Sequence, residues 1–471
     1  MALHKMAAVD AAWYHMDGRA NLAMVTGLAL TSEPLDFEQV CQLYEERLRA
    51  YPRFRQRVVE RGRPVPVPHW QDMKNFDIRQ HLHHVALPRP GDHRALAVLL
   101  SDIASAPLDR LQPLWQVHVI DGVGQGSALV MRFHHCIGDG TAMIGLSQRL
   151  FDATPDAPLQ LAAADEVVEE AHDEAGAGAR AGGLVGTVSG VIGRSTSVVT
   201  SAVDTVAHPR KTMGRVVAVA AGAGMLVGEL LKPDDPDSPF KGPFTLAKRV
   251  AWSEPVAIAD VKAIGALTDS KVNDVLTAGM AGALRAYLQD RGVDVGDTTL
   301  RAMVPVNLRP PERALELGND FGLVVLELPV GADDPLERLR LTTSHMAALK
   351  RSPEPMAMRL LFDIFGRTTK AMTDVPNALL TSKASMVLSN VMGARDRLYV
   401  SGVPIERVMF WVPHPGDQMG LGVSILSYCG HATLAIVTDA HLVPDPETIT
   451  AYFEREFVTL LEAARGAGAA D

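Results

Sequence analysis

Between residues 161 and 243 the chain changes character, and that break constrains the fold on either side of it. An acidic run, "DEVVEEAHDE", opens the stretch, Ala, Gly, Val and Ser dominate its middle, and "KPDDPDSPFKGP" closes it. Such a composition lacks the spaced large apolar residues that build a core, whereas the flanking segments have them. The 471 residues therefore divide into an N-terminal unit (1–160), a linker carrying helices (161–243) and a C-terminal unit (244–471), each unit long enough for a core of its own. Residues 216–228, "VVAVAAGAGMLVG", are uncharged but fall short of the roughly 20 apolar residues that span a bilayer. They pack on protein or lie at a membrane surface.

Both units alternate helical and strand patterns. "FEQVCQLYEERLRAYP" spaces its apolar residues three and four apart, which predicts a helix closed by Pro52. Two apolar runs, residues 114–120 and 128–133, flank the turn-like "DGVGQG" and predict a strand pair, after which "TAMIGLSQRLFD" predicts a helix. In the second unit "NDVLTAGMAGALRAYLQDRG" places Leu276, Met280, Leu284 and Leu288 four apart, with Gly292 as a stop signal. "LRAMVPV", "GLVVLELPV", "ASMVLS", "RVMFWV", "GLGVSIL" and "ATLAIVTD" read as strands, and a last helix covers about 446–465. The alternation predicts an α/β class with mixed sheets in each half.

Charge and cysteine usage narrow the setting. With 45 basic against 55 acidic residues the net charge is −10, which argues against a broad nucleic-acid footprint and leaves room only for local phosphate pockets. Cys41, Cys136 and Cys429 form an odd set without CxxC spacing, as in a reducing compartment, so a cytoplasmic location is expected. His4, Lys5 and Asp10 interrupt the N-terminus before a signal-peptide core could form.

The segment that points to chemistry is "MRFHHCIGDG", residues 131–140. A histidine on a strand is most often a hydrogen-bonded packing residue. Here two stand together at a strand end, and because consecutive strand residues face opposite sides, one can meet a cavity while the other packs. Gly138 and Gly140 permit a sharp turn, and Asp139 between them can hold it through backbone hydrogen bonds or a buried arginine. An imidazole so placed, with an ordinary pKa of about 6.5, is mostly neutral at cellular pH and able to act as a base. Cys136 invites a Cys–His dyad, but adjacent residues on an extended segment point apart.

HHxxxDG at 134–140 resembles the signature of the coenzyme A-dependent acyltransferase superfamily, which includes chloramphenicol acetyltransferase and peptide-synthetase condensation domains. "PLDRLQPLW" at 107–115 resembles the Pro-Leu-Trp block of the bacterial wax ester synthase/diacylglycerol acyltransferase family. "YPRFRQRVV", "FDIRQHLHHVALPRPG", "VNDVLTAGMAGALRAYL", "PVNLR", "LGNDFG", "SNVMG" and "SYCGHATLAIVTD" are similar to its later blocks, in order. The resemblance covers nearly the whole chain outside the linker. It implies two chloramphenicol-acetyltransferase-like domains with the active-site channel between them, His135 as catalytic base, His134 in support, and Asp139 as a structural aspartate beside Gly140. Arg309 of "PVNLR" is the expected partner of Asp139.

Further site residues follow from the same blocks. Asn273 and Asp274 match a supporting Asn-Asp pair, although Asn273 could also be the N-cap of its helix. Ser389, Asn390 and Gly393 match a Ser-Asn-Val-x-Gly block in which Met392 stands where the family usually has proline. Pro113, Leu114 and Trp115 carry either substrate contact or packing, and packing is the reading preferred for Trp115. The implied reaction moves a long acyl chain from acyl-CoA, as cosubstrate, to a fatty alcohol or diacylglycerol. No metal or other cofactor is implied. Backbone N–H groups near the glycine turn and the Asn273 amide are candidate oxyanion donors. Lipid substrates imply peripheral docking at a membrane or lipid droplet. Two rivals remain: a condensation-type enzyme with carrier-bound donors, and a non-catalytic lipid-binding protein of the same fold.

Overall fold

The computed structural model describes residues 3–62, 66–159, 233–310, 313, 316–350, 352, 354–368, 370, 378, 381–414 and 418–468. Most of the expected linker, including residues 216–228, lies outside the described residues. The first part of the chain runs β1 (Leu3–Lys5), α1 (Ala8–Met16), β2 (Met24–Thr31), α2 (Phe37–Leu48), β3 (Gln56–Arg61), β4 (Val67–Asp72), β5 (Leu82–Ala86), α3 (His93–Ser105), β6 (Trp115–Val123), β7 (Gly126–His134) and α4 (Gly140–Leu150). The second runs β8 (Lys248–Trp252), β9 (Val256–Ala257), α5 (Ile258–Thr268), α6 (Val272–Asp290), β10 (Leu300–Asn307), β11 (Phe321–Leu328), α7 (Pro335–Leu349), α8 (Glu354–Phe365), β12 (Met386–Met392), β13 (Tyr399–Val400), β14 (Val403–Trp411), β15 (Leu421–Tyr428), β16 (His431–Asp439) and α9 (Pro446–Gly468). The class is α/β with mixed sheets, as the alternation of patterns predicts.

Local sequence explains why these elements start where they do. Asp36, Asp92, Asp139 and Asp334 each cap a helix, the carboxylate accepting from the backbone N–H of Gln39, Ala95, Ala142 and Glu337 at 3.0, 2.8, 2.9 and 3.0 Å. β7 is apolar on both sides because both sides are covered. Leu129 and Phe133 join one core with α1, α2 and α4, and Ala128 and Val130 join another under α3.

A six-stranded sheet has the order β13-β14-β2-β7-β6-β5, and a second runs β11-β10-β12-β15-β16-β8, with β9 paired to β16. A small sheet, β1-β4-β3, flanks the first. β14, which the sequence assigns to the C-terminal unit, leaves that unit's sheet and pairs antiparallel with β2, Trp411 opposite Thr26 and Ile405 opposite Thr31. Nothing in "RVMFWV" distinguishes a strand of one sheet from a strand of the other, since each offers the same apolar pleated edge. The halves are stitched a second time at β8. The Lys248 and Val250 N–H groups on this edge strand donate to Ser105 and Ser101 Oγ of α3, at 2.8 and 3.1 Å.

Residues 233–243, placed by composition in the linker, are held by the second core. Phe240 is fully buried there, and Asp235 accepts hydrogen bonds from Ser385 Oγ (2.5 Å) and the Arg301 backbone N–H (3.2 Å). The proline and aspartate spacing that reads as linker is here a short anchored segment.

Candidate active site

His134 is the last residue of β7, and His135 begins a single 3-10 turn, residues 135–137. The strand therefore ends between them and the rings diverge. His134 Nδ1 accepts the Cys136 backbone N–H at 3.1 Å, so its proton sits on Nε2, 3.8 Å from Asp17 Oδ2. Burial acts to raise the Asp17 pKa, but His134, Arg110 and the Ala23 N–H outweigh it and hold that carboxyl at about 2. His134 is thus a buttress on the face away from His135, and its backbone N–H donates to Leu114 O at 2.9 Å.

His135 has the opposite tautomer. Its Nδ1 lies 2.9 Å from Asn319 Oδ1, and the orientation of that amide is set by its other bonds. Asn319 Nδ2 donates to Asp10 Oδ1 at 2.7 Å and to His135 O at 2.8 Å, both pure acceptors, so the amide oxygen must face the ring. Nδ1 consequently carries the proton and Nε2 keeps its lone pair. Among the described residues Nε2 makes no hydrogen bond, and the sealed, partnerless polar atoms include His134 Nε2 but not His135 Nε2. Trp13 stacks on the His135 ring at 3.9 Å between centroids and 12° between planes. Burial lowers the His135 pKa to about 4, against smaller raising effects of Asp139, its own carbonyl and Asn319, so the ring stays neutral through the physiological range.

The loop carrying His135 is sutured to the segment 316–320. Gly318 N–H donates to Ile137 O at 2.8 Å, and Asp139 N–H donates to Gly318 O at 3.3 Å. Gly318 sits at φ +98°, a conformation that favours glycine. The Asp139 carboxylate accepts from Ala142 N (2.9 Å), Asp320 N (2.8 Å) and Arg309 Nη2 (3.1 Å). Arg309 also donates to Gly318 O at 2.6 Å and to Glu316 O, so one buried guanidinium ties both strands of the suture.

Of the other sequence-selected blocks, Ser-Asn-Val-x-Gly approaches this loop through Val391, whose Cγ2 would lie 3.8 Å from a Cβ on Gly140. Asn273 is not the N-cap of its helix: Lys271 holds that position, its backbone N–H donating to Asp274 Oδ2 at 3.0 Å. The helix begins two residues earlier than an Asn cap would require because Asp274, at the third helical position, reaches back. Asn273 is exposed and accepts from Asn390 Nδ2 at 3.2 Å, which brings the Asn-Asp and Ser-Asn blocks together. Ser389 is buried in β12. Gly393 passes so close to β15 that a Cβ there would lie 2.6 Å from Ser427 O, while Met392 is 69% exposed. Pro113 O accepts the Trp115 N–H at 2.9 Å. Trp115 is packed, with Nε1 donating to Phe54 O at 2.8 Å and its ring stacked on His81. Cys136 is fully buried and burial pushes its thiol pKa up, which leaves no thiolate for a dyad.

An apolar cavity of about 1070 Å³, counted out to solvent, lies where the halves meet. Gly140, Met143 and Phe133 line it from the first half and Val391, Gly393 and Leu426 from the second. His135 is not in the lining. Met143, which is in the lining, approaches the turn that carries His135, since a Cβ on Gly138 would come within 2.8 Å of its Cε. Among the described residues no cluster of His, Cys, Asp or Glu could hold a metal ion, and no helix is long and apolar enough to cross a membrane.

Two residues of the site escape sequence reasoning. Asn319 lies inside the "LGNDFG" block without a role being assigned to it, and Asp10 carries no motif at all. The one signal for Asp10 was an acid in the first turn of an otherwise apolar helical stretch, "AVDAAWYHM".

Comparison with known proteins identifies the family and the fold. Residues 6–276 match the family model described as wax ester synthase/diacylglycerol acyltransferase catalytic domain, and residues 317–461 match the WS/DGAT C-terminal domain. A probable diacylglycerol O-acyltransferase of Mycobacterium tuberculosis, tgs1, is 30% identical over 91% of this chain and 89% of its own length. A putative diacylglycerol O-acyltransferase of the same species is 29% identical over 98% of this chain and 91% of its own length. Among solved structures, a wax ester synthase/diacylglycerol acyltransferase from Marinobacter aquaeolei VT8 superposes with a TM-score of 0.68 at 22% identity, covering 98% of this chain and 99% of that one. The first condensation domain of the calcium-dependent antibiotic synthetase shares the fold at a TM-score of 0.61 and 14% identity, covering 98% and 96%.

Proposed function

The chain belongs to the wax ester synthase/diacylglycerol acyltransferase family of acyl-CoA-dependent acyltransferases, and from that premise we propose that His135 is the general base of its reaction. His135 Nε2 takes the proton of a lipid hydroxyl as that oxygen attacks the thioester carbonyl of acyl-CoA. The tetrahedral intermediate collapses with cleavage of the carbon–sulfur bond, and Nε2–H returns the proton to the departing thiolate. The observation that supports this is the tautomer: Asn319 Oδ1 accepts the hydrogen bond of Nδ1–H, which leaves a neutral ring with Nε2 as its basic atom. Asp139 and Arg309 hold the loop, His134 buttresses it, and Asn273, Asn390 and the backbone around Gly140 flank it. The acceptor is a fatty alcohol or a diacylglycerol, the donor is a free coenzyme A thioester, and the protein works in the cytoplasm, docked peripherally on a membrane or lipid droplet.

The purified protein given palmitoyl-CoA and hexadecanol should release free thiol only when the alcohol is present, and should do so again with diacylglycerol. The ratio of the two rates assigns the acceptor. No thiol release with either acceptor would overturn the reading in favour of a lipid-binding protein. Turnover of a carrier-loaded donor in preference to free acyl-CoA would favour the condensation-type reading.

The apolar cavity that Met143 lines is the expected place for an alkyl tail. Met143→Trp should shorten the preferred chain, because each methylene left in water forfeits about 0.8 kcal/mol, and three of them lower kcat/KM about 50-fold. Relative rates across a series of acyl-CoA and alcohol lengths check this and identify which substrate's tail is affected. An unchanged length profile on both would empty the cavity of that role.

A further inference from the structure

Asp10 is a carboxylate out of place. It occupies the third position of α1, where an acid ordinarily turns back to cap the helix, yet the N-cap Ala7 receives no side-chain hydrogen bond. Instead Asp10 Oδ1 accepts the backbone N–H (2.9 Å) and the side-chain Nδ2 (2.7 Å) of Asn319, 309 residues further along the chain. Asp10 is 3% exposed, and burial raises its pKa to about 6, against lowering by Arg53 and by the two bonds from Asn319. A carboxylate that the fold would rather see neutral, directed at the residue that fixes the tautomer of a base, has more to offer chemistry than stability.

We propose that Asp10 is a positioning residue for His135: acting through Asn319, its carboxylate keeps the proton on His135 Nδ1 and stabilises the imidazolium formed when Nε2 takes the substrate proton. This rests on the reading of His135 as base. The mechanism is a relay of orientation in which no proton leaves His135 towards Asp10. Negative charge at Asp10 polarises the Asn319 amide, which makes Oδ1 a stronger acceptor for the Nδ1 proton at the moment the ring becomes positive.

The other charged groups around Asp10 do not supply this function. Arg53 and Asp139 are the charges that act on it, and both lie in other turns of the same half. On α8, which packs against α1, Arg359 pairs with Asp320 and Asp363 pairs with Arg367. On β4, His69 bonds Val67 O and Asp72 bonds Gln56. Cys136 of the adjacent turn stays a thiol.

Asp10→Asn is the test, since it keeps the shape and the accepting oxygen and removes only the charge. The expected result is a kcat about 10-fold lower or more, a KM for acyl-CoA within twofold of the parent, and a Tm at pH 8 that does not fall. A purely structural role would lower Tm and the active fraction together. The parent should also lose rate on the acid side near pH 6, a limb absent from the variant. Parental kcat across pH 5–9, or a kcat loss matched by loss of folded protein, would overturn the proposal while leaving His135 as base untouched. If the variant does not fold, nitrogen-15 spectra of the parent's imidazoles decide, with His135 assigned by its loss in His135→Gln. The Nδ1–H tautomer, shifting as Asp10 titrates, is the expected signature, and the Nε2–H tautomer overturns the proposal.

Discussion

His135→Ala is expected to lower kcat by about 10²- to 10⁴-fold, the range that a positioned base contributes, while acyl-CoA still binds. The argument is geometric. Among the described residues Nε2 is the unpaired nitrogen of a neutral ring clamped between the Trp13 indole and the Asn319 amide, and nothing else on the 135–139 turn can take its place. Cys136 is buried as a thiol, and the Asp139 carboxylate is occupied by three donors. The fold should survive, because the β7 register and the suture to Gly318 use the backbone of this turn rather than the imidazole. Stopped-time thiol release and calorimetric titration with a non-transferable acyl-CoA analogue separate the two effects. Parental turnover in this variant would end the assignment.

Asp139→Ala should damage the fold as well as the rate. The carboxylate is 5% exposed and the Arg309 side chain is 3% exposed, so removing the acid strands a buried guanidinium. Breaking such a pair from one side costs about 3–5 kcal/mol, a large part of the roughly 5–15 kcal/mol that holds a typical domain together. The same substitution leaves the Ala142 and Asp320 N–H groups without an acceptor and uncaps α4. A urea titration should show the loss directly. Asp139→Asn, which keeps an accepting oxygen for the cap, should lose less. The double variant Asp139→Leu with Arg309→Met should recover stability but not activity, because apolar replacement removes the stranded charge without restoring the turn. Recovery of both would mean that the pair serves packing alone.

These expectations draw unequally on sequence and structure. "MRFHHCIGDG" is short and local: a strand end, a glycine-flanked acid and two imidazoles on opposite sides can be read without knowing what surrounds them. The helices 37–48 and 272–290, and the strands 300–307, 421–428 and 431–439, were legible for the same reason, since periodicity and turn residues act within a few positions. The N-cap of the helix at 272 was less legible. Asn and Lys compete there by a margin that depends on Asp274 folding back, and a cap preference alone does not resolve a shift of two residues.

Local sequence therefore determined which elements form and which turn carries His135, because hydrogen bonds and side-chain spacing within a strand or helix are fixed by neighbours along the chain. Tertiary structure alone decided that β14 completes the first sheet, that Asn319 selects the His135 tautomer and that Asp10 stands behind Asn319. Those contacts join segments 184 or more residues apart. Their free energy comes from burial and from directional bonds made only after the two halves have packed, so no window of sequence contains both partners.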